Sequence, residues 1–144
     1  MAAYGSYYLL DTEIIMDLLK KNSDLNIEEN FINKHVNCCI STITWYEIMR
    51  NINHIDDSTT KQIFLDFLME VVAPNVKIIS FDEHAAWIAA DIANNNSLNK
   101  INYDNRDVEQ LSIAVSNHLI LITNAIEKYE NIKSTYSLNY EIWR

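Results

Sequence analysis

The chain of 144 residues is predicted to fold as an α/β protein: a three-layer α/β/α sandwich around a central, mostly parallel sheet of four or five strands, formed as a single domain over residues 1–144. Three observations predict it. Short apolar runs of strand length recur at Tyr7–Leu10, Asn37–Ser41, Val76–Ser80 and Leu119–Ile122. Each is followed or preceded by a segment whose apolar residues recur at three-and-four spacing, the signature of an amphipathic helix. Finally, 49% of the residues are hydrophobic and the chain has one Gly and one Pro, which implies dense regular structure with short loops.

The stretch from Asp104 to Asn124 states the plan most clearly. Val108, Leu111, Ala114, Val115 and His118 share one helical face, and Leu119-Ile120-Leu121-Ile122 then runs unbroken. A strand with no polar alternation belongs in a parallel sheet covered on both faces.

The earlier elements follow the same plan. Tyr7–Leu10 predicts a strand closed by Asp11-Thr12, with Ile14, Ile15, Leu18 and Leu19 on the helix after it. Ile27, Phe31, Ile32 and Val36 predict a second helix, and Asn37–Ser41 a second strand. Thr44-Trp45-Tyr46-Glu47 opens a third helix through Ile48, Ile52 and Ile55. Ile63, Phe64, Phe67, Leu68 and Val71 form the stripe of a helix over Thr59–Val72, stopped before Pro74.

Val76–Ser80 predicts the third strand. Phe81-Asp82-Glu83 opens an alanine-rich helix whose small residues suit close packing. The asparagine-rich run Asn94–Tyr103 reads as a polar loop or a frayed helix end. After Asn124, Ile126–Tyr129 predicts a helical turn, and Ile132–Ser134 and Tyr140–Trp143 are candidates for a last edge strand and tail.

Composition excludes several classes. A formal charge of -9 repels a nucleic-acid backbone at long range, so any such contact has to rest on local cations or bound metal; a basic protein partner suits it better. Cys38 and Cys39 are adjacent and are the only cysteines, so there is neither a disulfide framework nor a zinc pattern, and a reducing cytoplasm is the expected compartment. No apolar run approaches the ~20 residues of a membrane span, so no membrane association is expected.

Polar groups stand at the four strand ends: Asp11, Ser41, Ser80 and Thr123. Right-handed crossovers place such ends on one edge of the sheet, where sites in open α/β folds are built. Three acids lie at strand ends or first helical turns there: Asp11, Glu47 and Asp107. Each also has a local role open to it. Asp11 can cap the helix it precedes, Thr44-x-x-Glu47 fits a capping box, and Asp104-x-x-Asp107 can be a cap with its partner.

Joint placement carries the other reading. Carboxylates within ~5 Å repel by roughly 3 kcal/mol per pair at an effective dielectric of about 20. Only a counterion makes such a cluster tolerable, and Mg²⁺ or Mn²⁺ suits carboxylate oxygens in a chain with no Cys or His cluster. Divalent metal at an acidic edge is an arrangement for phosphodiester hydrolysis.

These residues resemble the PIN-domain nucleases, and among them the VapC-type toxins of toxin-antitoxin pairs. Leu9-Leu10-Asp11-Thr12 is similar to that family's opening strand and first acid. Ser41-x-x-Thr44-x-x-Glu47 is similar to its second motif, and Asp82-Glu83-x-Ala85-x-x-x-Ala89-Ala90 to its small-residue helix. Asp107, with Ala114 and Leu119-Ile120-Leu121-Ile122-Thr123-Asn124, is similar to its third acid, helix and strand.

The resemblance implies a Mg²⁺- or Mn²⁺-dependent ribonuclease, cytoplasmic and often homodimeric, that hydrolyses RNA phosphodiesters with metal-activated water and is held inactive by a cognate antitoxin protein. It makes Asp11 and Asp107 metal ligands and Glu47 a ligand or an orienter of water, supported by Thr12, Ser41, Thr44, Thr123 and Asn124.

Three departures stand out. Glu13 is an extra acid after Asp-Thr, with its role open. Gln110-Leu111-Ser112 and Asn117-His118 replace Ile-Ala-Ala and a helix-ending Gly, and Asn117 or His118 can take the left-handed conformation at some cost. Ala125 occupies the fourth acidic or amide position, for which Asn124 or Glu127 can stand in; Asp104 is a further nearby acid. The alternative function is therefore a catalytically weakened PIN-fold module that binds metal, RNA or a protein partner. A phosphoryl-accepting receiver domain is disfavoured, because the chain lacks a Lys after the last strand and paired acids after the first.

His35, His54, His84 and His118 share no ligand spacing. Arg50, Lys61, Lys100 and Arg106 are the candidate phosphate contacts.

Overall fold

The computed structural model describes residues 7–20, 22–94, 104–125, 127, 129–130 and 136–144. Its centre is a five-stranded sheet in the order β3-β2-β1-β4-β5, built from β1 (Tyr8–Leu10), β2 (Cys38–Ser41), β3 (Lys77–Ile79), β4 (Ile120–Ile122) and β5 (Asn139–Glu141). All four pairings are parallel, with Leu9 beside Cys39 and Leu121, Ile40 beside Ile78, and Leu121 beside Tyr140. Parallel pairing sends every carboxyl end to the same edge. This is the α/β/α architecture predicted, and Tyr140 and Glu141 supply its edge strand.

Successive strand residues point to opposite faces, and two cores result. Leu10, Cys38, Ile40 and Ile122 pack on α1 (Thr12–Leu18), α2 (Leu25–Lys34), α3 (Thr42–Asn53) and α4 (Ser58–Phe67) through Ile14, Ile15, Ile27, Phe31, Ile48 and Ile52. On the opposite face Leu9, Cys39 and Leu121 meet α5 (Glu83–Ala93) and α6 (Asn105–Ser116) through Ala85, Ile92, Leu111, Ile113 and Ala114. A fully buried Leu or Ile contributes roughly 2 kcal/mol by burial, so the apolar strand triplets hold the three layers together.

Local departures have local causes. Helix α2 stops at Lys34, and His35–Asn37 is a 3₁₀ turn, so Asn37 is not in the strand and Val36 faces solvent with Ile32. Helix α4 runs on into a π turn at Leu68–Val72. The wider turn buries Leu68 and Val72 and leaves Val71 outside, and Ile63 is exposed as well, breaking the predicted stripe. Helix α6 ends at Ser116, so His118 leaves the helical face and takes φ 54° as the left-handed residue before β4. Its exposure fits that role, which costs a non-glycine residue about 1 kcal/mol.

Most of Asn94–Tyr103, with Lys100, and the run Ile132–Ser134 lie outside the described residues, as does part of the turn at Ile126–Tyr129. Among the described residues no helix is long and apolar enough to cross a membrane.

Candidate metal centre

The site is built from the carboxyl ends of the two central strands. One residue past the ladder on β1, Asp11 N–H donates to Ile122 O of β4 (3.0 Å). Asp11 and Thr123 therefore leave the sheet side by side. Thr123 Oγ1 donates to Asp11 Oδ2 at 2.9 Å, while Asp11 Oδ1 accepts from Thr12 N at 3.0 Å and so caps α1.

Glu13 joins them from the first turn of α1. Its Oε1 lies 3.2 Å from Thr123 Oγ1 and accepts from Asn124 N at 2.7 Å. Thr123 has one hydroxyl proton and two carboxylates within reach of it. Burial, and then the Glu13 charge, push the Asp11 carboxyl up to about 6; Asp107 adds to the push, and the Thr123 and Thr12 hydrogen bonds oppose it. Among the described residues, no cation is one of the groups acting on Asp11.

Glu47 comes from α3 and is differently placed. Ser41, and not Thr44, caps this helix: its Oγ accepts from Thr44 N at 3.0 Å. The capping box predicted at Thr44-x-x-Glu47 is therefore absent, and Thr44 turns inward, fully buried. Thus released, Glu47 Oε1 accepts from Thr12 Oγ1 at 2.7 Å and Oε2 from the Arg106 guanidinium at 3.4 Å.

Asp107 sits in the first turn of α6 and does form its predicted capping box. Asp107 N donates to Asp104 Oδ1 (2.8 Å), and Asp104 N donates to Asp107 Oδ2 (3.4 Å). The helix N-terminus favours carboxylates there.

Sequence reasoning missed the group that ties α3 to α6. Gln110 is buried; its Oε1 accepts from Ser41 Oγ, and its Nε2 donates to Thr44 Oγ1 at 3.2 Å. Thr44 Oγ1 in turn lies 3.2 Å from Thr12 Oγ1. A polar relay, buried from Ser41 through Gln110 to Thr44 and part-buried beyond, thus runs on through Thr12 to Glu47. The signal was present: an amide three residues beyond Asp107 on the apolar face of α6.

Asp11, Thr12, Glu13, Thr123 and Asn124 are brought together, and Glu47 reaches them through Thr12. Glu127 is exposed, and no hydrogen bond among the described residues ties it to this group. Of the predicted phosphate contacts, Arg106 is at the site through its ion pair with Glu47.

As the side chains stand, no three Asp, Glu, His or Cys residues among those described gather closely enough to enclose an ion. Arg106 pairs with Glu47, and Asp107 is bonded to its own cap. The donor set nevertheless fits a hard divalent cation. It offers the carboxylate oxygens of Asp11 and Glu13, which meet at one threonine hydroxyl, and Asn124 Oδ1, which is buried and has no hydrogen-bond partner among the described residues.

An all-parallel sheet with acids at its carboxyl edge defines a class of α/β proteins whose chemistry sits at strand ends. Within it, the family model for the PIN domain matches residues 8–125, and the chain belongs to the PIN-domain family.

Solved structures share the fold. VapBC from Salmonella typhimurium, bound to DNA, superposes with a TM-score of 0.80 at 22% identity, over 96% of this chain and 98% of that one. VapBC2 from Rickettsia felis, bound to a DNA fragment from its promoter, gives 0.78 at 21% identity, over 96% and 99%. VapBC-1 from nontypeable Haemophilus influenzae gives 0.74 at 23% identity, over 95% and 98%. A search of the curated proteins found no significant match.

Proposed function

We propose that this chain, acting as one PIN domain, is a Mg²⁺- or Mn²⁺-dependent endoribonuclease of the VapC type, the toxin of a toxin-antitoxin pair. The observation that carries the reading is the Asp11 carboxyl. It is fixed by Thr123 and Thr12 at the end of the central strand, and it is raised by burial and by Glu13 and Asp107, with no cation among the described residues opposing them.

Asp11 and Asp107 are the proposed metal ligands, and Glu47 a ligand or an orienter of water. A divalent ion bound there supplies Lewis-acid activation of water and of the scissile phosphate. The chain's own residues set the geometry. Thr123 and Thr12 hold Asp11 in one orientation. Thr12, kept in place by Thr44 and Gln110, aims Glu47. Arg106 offers a guanidinium at the same edge, where it can leave Glu47 for an RNA phosphate.

The likeness to VapBC complexes and the charge of -9 support an antitoxin partner with a basic segment. The proposed homodimer has an apolar surface available at Trp87, 79% exposed on α5. Free, buried Cys38 and Cys39 suit a reducing cytoplasm.

Single-turnover cleavage of structured RNA in Mn²⁺ tests the reading. Cutting by the wild type should be lost, by roughly 1000-fold or about 4 kcal/mol of barrier, in Asp11→Asn and Asp107→Asn, and suppressed by a cationic antitoxin. Equal degradation by all three proteins would overturn it. The second reading, a binding module with little turnover, has Ala125 in its favour, since that side chain brings no oxygen to the loop after β4. It predicts metal-dependent RNA retention without cleavage.

A further inference from the structure

Glu13 has a role the capping and packing of its helix do not require. It points from the first turn of α1 across to the end of β4, where its Oε1 meets Thr123 Oγ1 (3.2 Å) and Asn124 N (2.7 Å). The same Thr123 hydroxyl serves Asp11 at 2.9 Å, so two carboxylates converge on one proton. Folding pushes like charges together here, and the Asn124 side-chain oxygen in the same loop is buried without a hydrogen bond. Repelling carboxylates, and an unused carbonyl oxygen on the residue whose N–H Glu13 accepts from, make a set of hard donors that a divalent cation satisfies.

Resting on the metal-site reading above, we propose that Glu13 is a direct contributor to the divalent-cation site, sharing the ion with Asp11 and using the Asn124 side-chain oxygen as a neutral donor. The bland alternative makes Glu13 only a fastener of the loop after β4. The two separate cleanly, because a glutamine at position 13 keeps an oxygen to accept from Asn124 N and Thr123 while losing the charge.

The experiment is Mn²⁺ binding to the full chain without RNA, by calorimetry and by the EPR signal of free Mn²⁺, for wild type, Glu13→Gln, Asn124→Ala and Asp11→Asn. Glu13→Gln should bind Mn²⁺ roughly 10-fold or more weakly. Its melting temperature in EDTA should not fall, and Asn124→Ala should show a smaller loss of binding. Wild-type binding in Glu13→Gln together with weakened binding in Asp11→Asn would overturn the proposal and leave the metal site standing. Undiminished binding in both would overturn the two together. If Glu13→Gln fails to fold, Asn124→Ala decides, since it leaves the backbone N–H that Glu13 accepts from; unchanged Mn²⁺ affinity in that variant then overturns the proposal.

Discussion

The two halves of the acidic edge handle negative charge in opposite ways. On the α3–α6 side Glu47 has a hydroxyl on one oxygen and a guanidinium on the other, backed by a buried amide relay. On the β1–β4 side Asp11 and Glu13 share one threonine hydroxyl, and among the described residues no cation is seen acting on Asp11. The first half is complete in itself. The second is costly until a positive charge arrives, and the difference locates where a cation has most to gain.

Replacing Asp11 by Asn tests the comparison most severely. The carboxyl is raised from 3.8 to about 6, so folding favours its protonated form. Its contribution to stability is fully present below pH 4 and is lost as pH rises through about 6. In EDTA the wild type should therefore lose up to about 3 kcal/mol relative to Asp11→Asn across that window. Urea titrations at pH 4, 5, 6 and 7 measure it. Parallel pH profiles would mean that Asp11 is not under electrostatic strain.

Gln110→Leu should have the next largest effect, now on the compensated half. It takes one hydrogen-bond partner from Ser41 Oγ and one from Thr44 Oγ1, which keep Thr44 N and Thr12 Oγ1 respectively, at about 1 kcal/mol for each bond lost. It also loosens Thr12 and Glu47, so cleavage should fall more than Mn²⁺ affinity. A stability loss with an unaltered cleavage rate would confine the relay to folding.

Arg106→Gln sharpens the contrast with the smallest effect. The pair with Glu47 is part-exposed, so its removal should cost less than about 1 kcal/mol in urea denaturation. RNA affinity should become less sensitive to salt, its slope falling by about one.

The fold was largely legible because strand cores such as Leu119–Ile122 and helix stripes such as Ile14, Ile15 and Leu18 are one-dimensional patterns, and parallel topology then aligned their ends. Asp104 with Asp107 was legible for the same reason, since a capping box is a local spacing. Glu47 was not. Thr44 and Ser41 are both plausible caps, and only the helix starting at Thr42 decides that Ser41 does the capping and Glu47 is left for Thr12. The contacts of Gln110 and Glu13, both visible in the sequence as departures from the family pattern, escaped because their partners lie 66 and 111 residues away in sequence. The π turn at Leu68–Val72 changed the outward face of a helix that periodicity alone keeps constant.

Cys38 and Cys39 follow one another on β2, yet each sulfur belongs to a different core, the first to the layer of α1–α4 and the second to the layer of α5 and α6. Burial pushes their thiols up to about 12 and about 11, so neither is a nucleophile at neutral pH while its layer is closed. The molecule thus carries two natural probes, one per side of the sheet. The order in which an alkylating reagent modifies them reports which side opens first when the protein breathes.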